Sequence, residues 1–253
     1  MNQWSGFLKK EWIESIKSYK LLLIVTCFSF LGILNPFTAK ITPVLFEKFL
    51  PEIMVSLPEP SALDSWMQFH KNVPQTGMIF FILLFSTIVS KELEKGTLTM
   101  LLTKGLSRTT VITTKFFIIS GYWIGAISLS FLITYSYTAY YWDQGTVYHT
   151  VFAAFGLLLV GLLLLSITLW GNTFFANSSG GVIAALLAFG ALSLAAIIPT
   201  TIKWNPIVLL TEASNLLTNM TEPNELWLPC LVAIGSTVSF VCWTVRHFKK
   251  KQI

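Results

Sequence analysis

Charge is what this sequence has least of. Only 11% of its 253 residues are Asp, Glu, Lys or Arg, against about 25% in an ordinary soluble domain. A soluble fold of this length could not clothe its surface with so few charges. Disorder is excluded too, because disordered chains are poor in apolar residues and this one is 54% hydrophobic with a mean hydropathy of +0.68. Cysteine is scarce as well. Cys27, Cys230 and Cys242 are odd in number, lie in apolar stretches and lack metal-ligand spacing, which excludes a disulfide framework and a zinc site.

Two further absences bear on function. Inside the apolar blocks there is no Asp, Glu, Lys, Arg or His. Ion-coupled carriers and proton relays use intramembrane ionisable groups. Intramembrane proteases need paired carboxylates, a metal set or an activated nucleophile. The sequence also has no GxxxxGK[ST] phosphate-cradling loop. It is therefore not expected to be an enzyme, or to bind a cofactor itself, and any energy for transport must come from elsewhere.

What is present is a set of apolar blocks long enough to cross a bilayer, which takes about 20 residues. The expected fold class is all-α: a polytopic membrane protein, one transmembrane domain over 1–253. Six transmembrane helices are expected, at about 21–37, 73–90, 116–141, 151–170, 180–199 and 226–245. The first is not read as a removable signal, since no small-residue cleavage site follows it.

The basic residues are sorted. Residues 1–20, 91–115 and 246–253 hold 13 of the 17 lysines and arginines and only four of the 12 acids. Basic loops favour the cytoplasm, so both termini and the 91–115 loop are expected there. The net charge of +5 then reflects membrane topology, and no nucleic-acid partner is implied. Tyr135, Tyr137, Tyr140, Tyr141, Trp142 and Tyr148 cluster at the other end of the third span, as an interfacial belt or as the wall of a substrate path. In the same span Gly121 and Gly125 form a GxxxG pair, read as packing within the chain rather than as a dimer contact.

Residues 1–20 read as an interfacial amphipathic helix. Lys9, Lys10, Lys17 and Lys20 share one face, and Trp4, Leu8, Trp12, Ile16 and Tyr19 share the other. Glu11 falls on the apolar side, a flaw in the pattern. The helix is either an anchor or an elbow that carries a partner's motion.

After the second span the spacing predicts a short helix over Thr97–Lys104, preceded by Gly96 and ended by Gly105. Leu98, Leu101 and Leu102 stand at i, i+3 and i+4. A helix this short needs a docking surface, supplied by the rest of the chain or by another subunit.

This stretch resembles the signature loop of the ABC-2 type permeases, the membrane subunits of bacterial ATP-binding-cassette exporters. The resembling residues are Glu92, Glu94-Lys95-Gly96-Thr97-Leu98, Leu101-Leu102, Ser107-Arg108 and Lys115. The opening Phe7-Leu8-Lys9-Lys10-Glu11-Trp12 is similar to that family's opening. Where many members have proline before the Ser-Arg pair, this chain has Gly105-Leu106.

The resemblance implies several things. The 91–115 loop would carry a coupling helix, with Glu92, Glu94, Gly96, Thr97, Leu98, Leu101, Leu102 and Arg108 coupling it to the ATPase. Two copies of a cytoplasmic ABC ATPase would hold the ATP and magnesium. A second permease subunit would complete a homodimer or a related heterodimer, in a bacterial cytoplasmic membrane. The uncharged spans suit a hydrophobic or amphipathic cargo, such as a peptide or antibiotic. The alternative is a non-transporting scaffold or immunity protein that captures a peptide at the outer surface.

Two outer segments complete the expectation. Residues 38–72 form an outer loop, with a surface helix from Phe46 to Leu57 before Pro58, either a cap or a decorated loop. Residues 200–225 form a re-entrant or surface helix, with Asn205 as N-cap and Pro206 as first helical residue. The uncharged turn at 171–181 is a candidate second contact for the ATPase.

Overall fold

The computed structural model describes residues 3–49 and 59–251. Every regular element among the described residues is helical. Helix α1 (Gln3–Lys17) turns at Tyr19, whose φ is +58°, into α2 (Lys20–Phe49). Helix α3 (Ala62–Asn72) runs through a π-helical turn, Val73–Met78, into α4 (Ile79–Phe85). Two short helices follow, α5 (Ser90–Glu94) and α6 (Thr97–Thr103). Then come α7 (Arg108–Tyr141), α8 (Thr150–Phe175) and α9 (Ser178–Ala195). The short α10 (Pro199–Ile202), α11 (Val208–Thr211) and α12 (Ala213–Leu217) lead to α13 (Trp227–Lys250).

Among the described residues, five stretches are long and apolar enough to cross a membrane: Lys20–Phe46, Ala62–Glu94, Arg108–Tyr141, Thr150–Phe175 and Pro223–Lys250. The α9 helix is apolar but shorter, 18 residues, or about 27 Å at the usual rise.

The helices overrun the expected spans in ways that have physical causes. The expected outer loop 38–72 is largely helical: α2 continues through Pro36 and Pro43 to Phe49, and α3 begins at Ala62. Pro36 lacks the N–H that would bond the Gly32 carbonyl. Thr134 of α7 supplies the missing donor, its Oγ1 lying 3.1 Å from that oxygen. Pro74 is absorbed by the wide π turn, which relieves the clash between a proline ring and the preceding turn. The surface helix expected from Phe46 to Leu57 lies mostly outside the described residues.

On the other side, α7 begins at Arg108 rather than near 116. Ser107 caps it, its hydroxyl accepting from the Thr110 N–H at 3.1 Å. Helix α8 ends at Phe175, beyond the expected 170.

At the centre, α8 packs against α7, α9 and α13. The α7–α8 seam is set by Trp123, whose indole lies over Gly161 and donates to the Leu158 carbonyl at 3.2 Å. A Cβ on Gly161 would fall 2.3 Å from that ring, so only glycine fits there. Around Trp123, Phe28 and Phe81 pack edge to face at 6.0 and 5.1 Å.

The segment from 200 to 225 does not form one helix. It folds as α11 and α12 against α8 and α3, with Leu209, Leu216 and Leu217 buried. Asn205 heads the turn that leads into α11, its side chain accepting as a cap does and its carbonyl accepting from the Val208 N–H at 3.2 Å. It is fully buried, accepts from the Ile207 N–H at 3.0 Å and donates to the Leu192 carbonyl at 2.7 Å. It thus pins the end of α9 to the outer segment.

Among the described residues, nothing packs against Gly121 or Gly125. A Cβ at either would meet nothing within 4 Å. They lie with Ile124 and Leu132 on an exposed stripe of α7. The tyrosine cluster at the end of α7 is also exposed, with Tyr140 at 81% and Lys40 Nζ 3.8 Å above the Tyr141 ring.

Candidate functional site

The charged end of the bundle is organised around one lysine. Helix α1 buries the stripe Phe7, Glu11 and Ser15, a third face between the lysine and tryptophan faces. Its spacing of four residues lays it along α7. There Lys115, 1% exposed, places its ammonium 2.9 Å from Glu11 Oε1 and 2.7 Å from Glu92 Oε2. One cation thus ties α1, α5 and α7 together.

Lys10 completes the cluster, pairing with Glu92, with Glu11 at 3.1 Å and with Glu14 at 2.8 Å. Burial works against the Lys10 charge, but Glu11, Glu14 and Glu92 outweigh it and hold its pKa above the ordinary lysine value. The carboxylates of Glu11, Glu14 and Glu92 are close enough together to hold a cation. Lys10 and Lys115 already fill that role.

A second tie lies about two turns away along α1. Gln3 Nε2 donates to the Gly105 carbonyl at 3.0 Å, and the Ser107 N–H donates to Gln3 Oε1 at 3.4 Å. The carboxamide bridges the turn that follows α6. Between the two ties lies a cleft of about 310 Å³ whose walls include Phe7, Leu101 and Leu106.

The short helix forms where the sequence places it. Gly96, φ +68°, precedes α6, and Gly105, φ +93°, ends it. The Leu106 N–H reaches the Leu101 carbonyl at 3.2 Å and the Gly105 N–H reaches Leu102 at 3.0 Å. This paired closure of a helix C-terminus requires a left-handed residue at Gly105. Thr97 Oγ1 donates to the Glu92 carbonyl at 3.2 Å, joining α6 to α5.

The leucine stripe is satisfied by its own chain. Leu98 is fully buried, and Leu101 and Leu102 pack half-buried against the core. The face left open carries Glu94, Lys95, Thr97, Met100, Thr103 and Lys104, with Met100 53% exposed.

Arg108 also serves the chain itself. Its guanidinium donates to the carbonyls of Phe248 and Lys249, both at 2.9 Å, and to that of Lys251. It neutralises the C-terminal end of α13. Lys251 in turn donates to the Thr173 carbonyl of α8 at 2.6 Å. The turn at 171–181 is thereby tied to the end of α13.

On α1, Trp4 meets Phe117 edge to face at 5.3 Å and Trp12 stacks on Tyr122 at 5.4 Å, both from α7. Leu8 packs against the core. Trp4, Trp12 and Ile16 keep substantial exposure, 38%, 47% and 47%, as an apolar face lying in an interface would.

Sequence reasoning singled out Glu11, Glu92 and the α6 region, and the structure brings Glu11 and Glu92 together at Lys115. Sequence reasoning did not find the roles of Lys10, Lys115 and Gln3. The available signal was a pair of misplaced opposite charges: Glu11 on the apolar side of α1, and Lys115 just before an uncharged span.

Comparison with known proteins adds a coarse constraint. The chain is 22% identical over 217 residues to an uncharacterized transmembrane protein of Bacillus subtilis (strain 168), YxlG, covering 84% of each. No family model matches the chain, and no solved structure does. Apolar helices and transmembrane relative agree: this is a multi-pass membrane protein.

Proposed function

We propose that this chain is the permease subunit of an ATP-binding-cassette exporter, moved by a separate ATPase. The observation that carries the reading is the junction at Lys115. A short helix standing clear of the spans is connected through Glu92 to a buried cation on α7, and through the same cation to α1. Load applied to the open face of α6 would not dissipate in a floppy loop. It would pass through Leu98 and Glu92 into the N-terminal end of α7, a helix of 34 residues that reaches the opposite end of the bundle.

In this reading both termini and α6 face the cytoplasm, α9 is the sixth span, and ATP and magnesium belong to the partner. The docking surface is the Thr97–Met100–Thr103–Lys104 face. Glu92, Gly96 and Leu98 hold that face in place rather than touching the partner. Arg108 steadies the frame. A second permease subunit would meet the open Gly121–Gly125 stripe, where small residues allow close approach. The uncharged spans favour a hydrophobic or amphipathic cargo.

The test is co-expression with candidate ABC ATPases. A stable complex is expected, in which ATPase activity responds to reconstitution with the permease. Transport by the purified chain with no nucleotide-hydrolysing companion would contradict the reading.

A further inference from the structure

The end of α13 carries a second constellation, which the coupling argument does not use. Trp243, Arg246, His247 and Lys250 stand at i, i+3, i+4 and i+7, so they share one ridge of the helix. With Lys251 they line an open cleft of about 440 Å³.

The cleft's Trp243 and His247 are backed by an aromatic cluster. Trp170 packs 4.9 Å from Trp243 and stacks on Phe174 at 5.2 Å, and Phe174 meets His247 at 5.0 Å. The rim is cationic, and neither Arg246 nor Lys250 forms an ion pair among the described residues. Two buried nitrogens, His247 Nδ1 and Trp170 Nε1, have no hydrogen-bond partner among the described residues. Trp243 is 53% exposed and Phe174 48%, so the site opens where an apolar face gives way to charge.

We propose that this cleft is a binding site for an anionic glycerophospholipid. The phosphodiester would lie between Arg246 and Lys250. The glycerol and upper acyl chain would rest on Trp243 and Phe174. Three features favour a membrane lipid over a soluble anion. The floor is aromatic, the flank is an apolar spanning helix, and the cations are unpaired at the level where lipid phosphates lie. The site lies where α13, α8 and the start of α7 are pinned together by Arg108 and Lys251. A bound lipid would therefore stiffen the frame against which α6 moves.

Native mass spectrometry of the full chain, released from nanodiscs of mixed phosphatidylglycerol and phosphatidylcholine, tests this. Wild type is expected to retain phosphatidylglycerol selectively. The R246Q/K250Q variant should lose about fivefold in that retention for each cation removed, with phosphatidylcholine retention unchanged. The K71Q/K203Q variant removes equal charge from exposed positions outside both the cleft and α1, and should behave as wild type. W243L keeps the charge and removes the floor, and it too should reduce phosphatidylglycerol retention, so the test survives poor folding of the double variant. Equal loss in K71Q/K203Q, undiminished selectivity in R246Q/K250Q, or displacement by millimolar inorganic phosphate would each overturn the proposal.

Discussion

Lys115 of α7 and Glu92 of α5 form an ion pair of 2.7 Å with the lysine almost wholly enclosed. Two charges taken out of water repay their desolvation only when the geometry is good and the remaining valences are filled. Here Glu11 takes the lysine's second contact and Lys10 takes the glutamate's. The arrangement ties α1, α5 and α7 into one packed unit.

Removing one partner should therefore be far worse than removing both. Lys115→Met leaves two buried carboxylates with only the half-exposed Lys10 between them, and a loss of about 3 kcal/mol is expected. The triple change Lys115→Met, Glu11→Gln, Glu92→Gln should recover much of that loss. Thermal unfolding in detergent measures both. Equal stability of Lys115→Met and wild type would show that the cluster does not hold the junction.

Lys10 predicts a flat pH response. Its pKa is raised in the folded state, so its contribution is complete below the unfolded lysine pKa and fades only as pH climbs through the raised value. Wild type and Lys10→Met should thus differ in melting temperature by a constant amount between about pH 6 and 9. A difference that vanishes within this window would contradict the assignment.

The Thr134–Gly32 bond offers a cleaner test of the fold. Thr134→Val removes the donor that replaces the one Pro36 lacks, and should cost about 1 kcal/mol. Pro36→Ala restores a backbone N–H to the same carbonyl. In that background Thr134→Val should cost measurably less. Simple additivity in the double-mutant cycle would mean that the hydroxyl does not serve the proline's orphaned carbonyl.

The inward leucines and the outward methionine should separate stability from docking. Leu98→Ala is expected to destabilise the bundle by about 2–5 kcal/mol. Met100→Glu, on the open face, should change stability by no more than about 0.5 kcal/mol and yet abolish copurification with the partner ATPase. A complex unaffected by Met100→Glu would remove the open face as the contact.

Much of this fold was legible, for identifiable reasons. Long uncharged runs mark the spans, because hydrocarbon tolerates little else. Gly96 and Gly105 mark the short helix, because both need positive φ. Helix through 38–49 and 62–72 was not legible. Pro36, Pro43, Lys40 and Lys71 read locally as loop, while the donor that rescues Pro36 comes from a residue about a hundred positions away. The spacing of Leu98, Leu101 and Leu102 gave a true apolar face. Periodicity identifies a face but not what covers it, and here the chain itself does. Glu11 and Lys115 each stood out as a misplaced charge. Their pairing depends on α1 lying along α7, which only the folded structure shows.

The central claim, that α6 is the point where a cytoplasmic partner grips this chain, is tested most directly by labelling Met100→Cys. The background has Cys27, Cys230 and Cys242 replaced by alanine, and the probe is a membrane-impermeant maleimide. The account predicts labelling in inverted vesicles, no labelling in intact cells, and strong protection when the ATPase is co-expressed. Labelling from the outside of intact cells, or equal labelling with and without the ATPase, would contradict it.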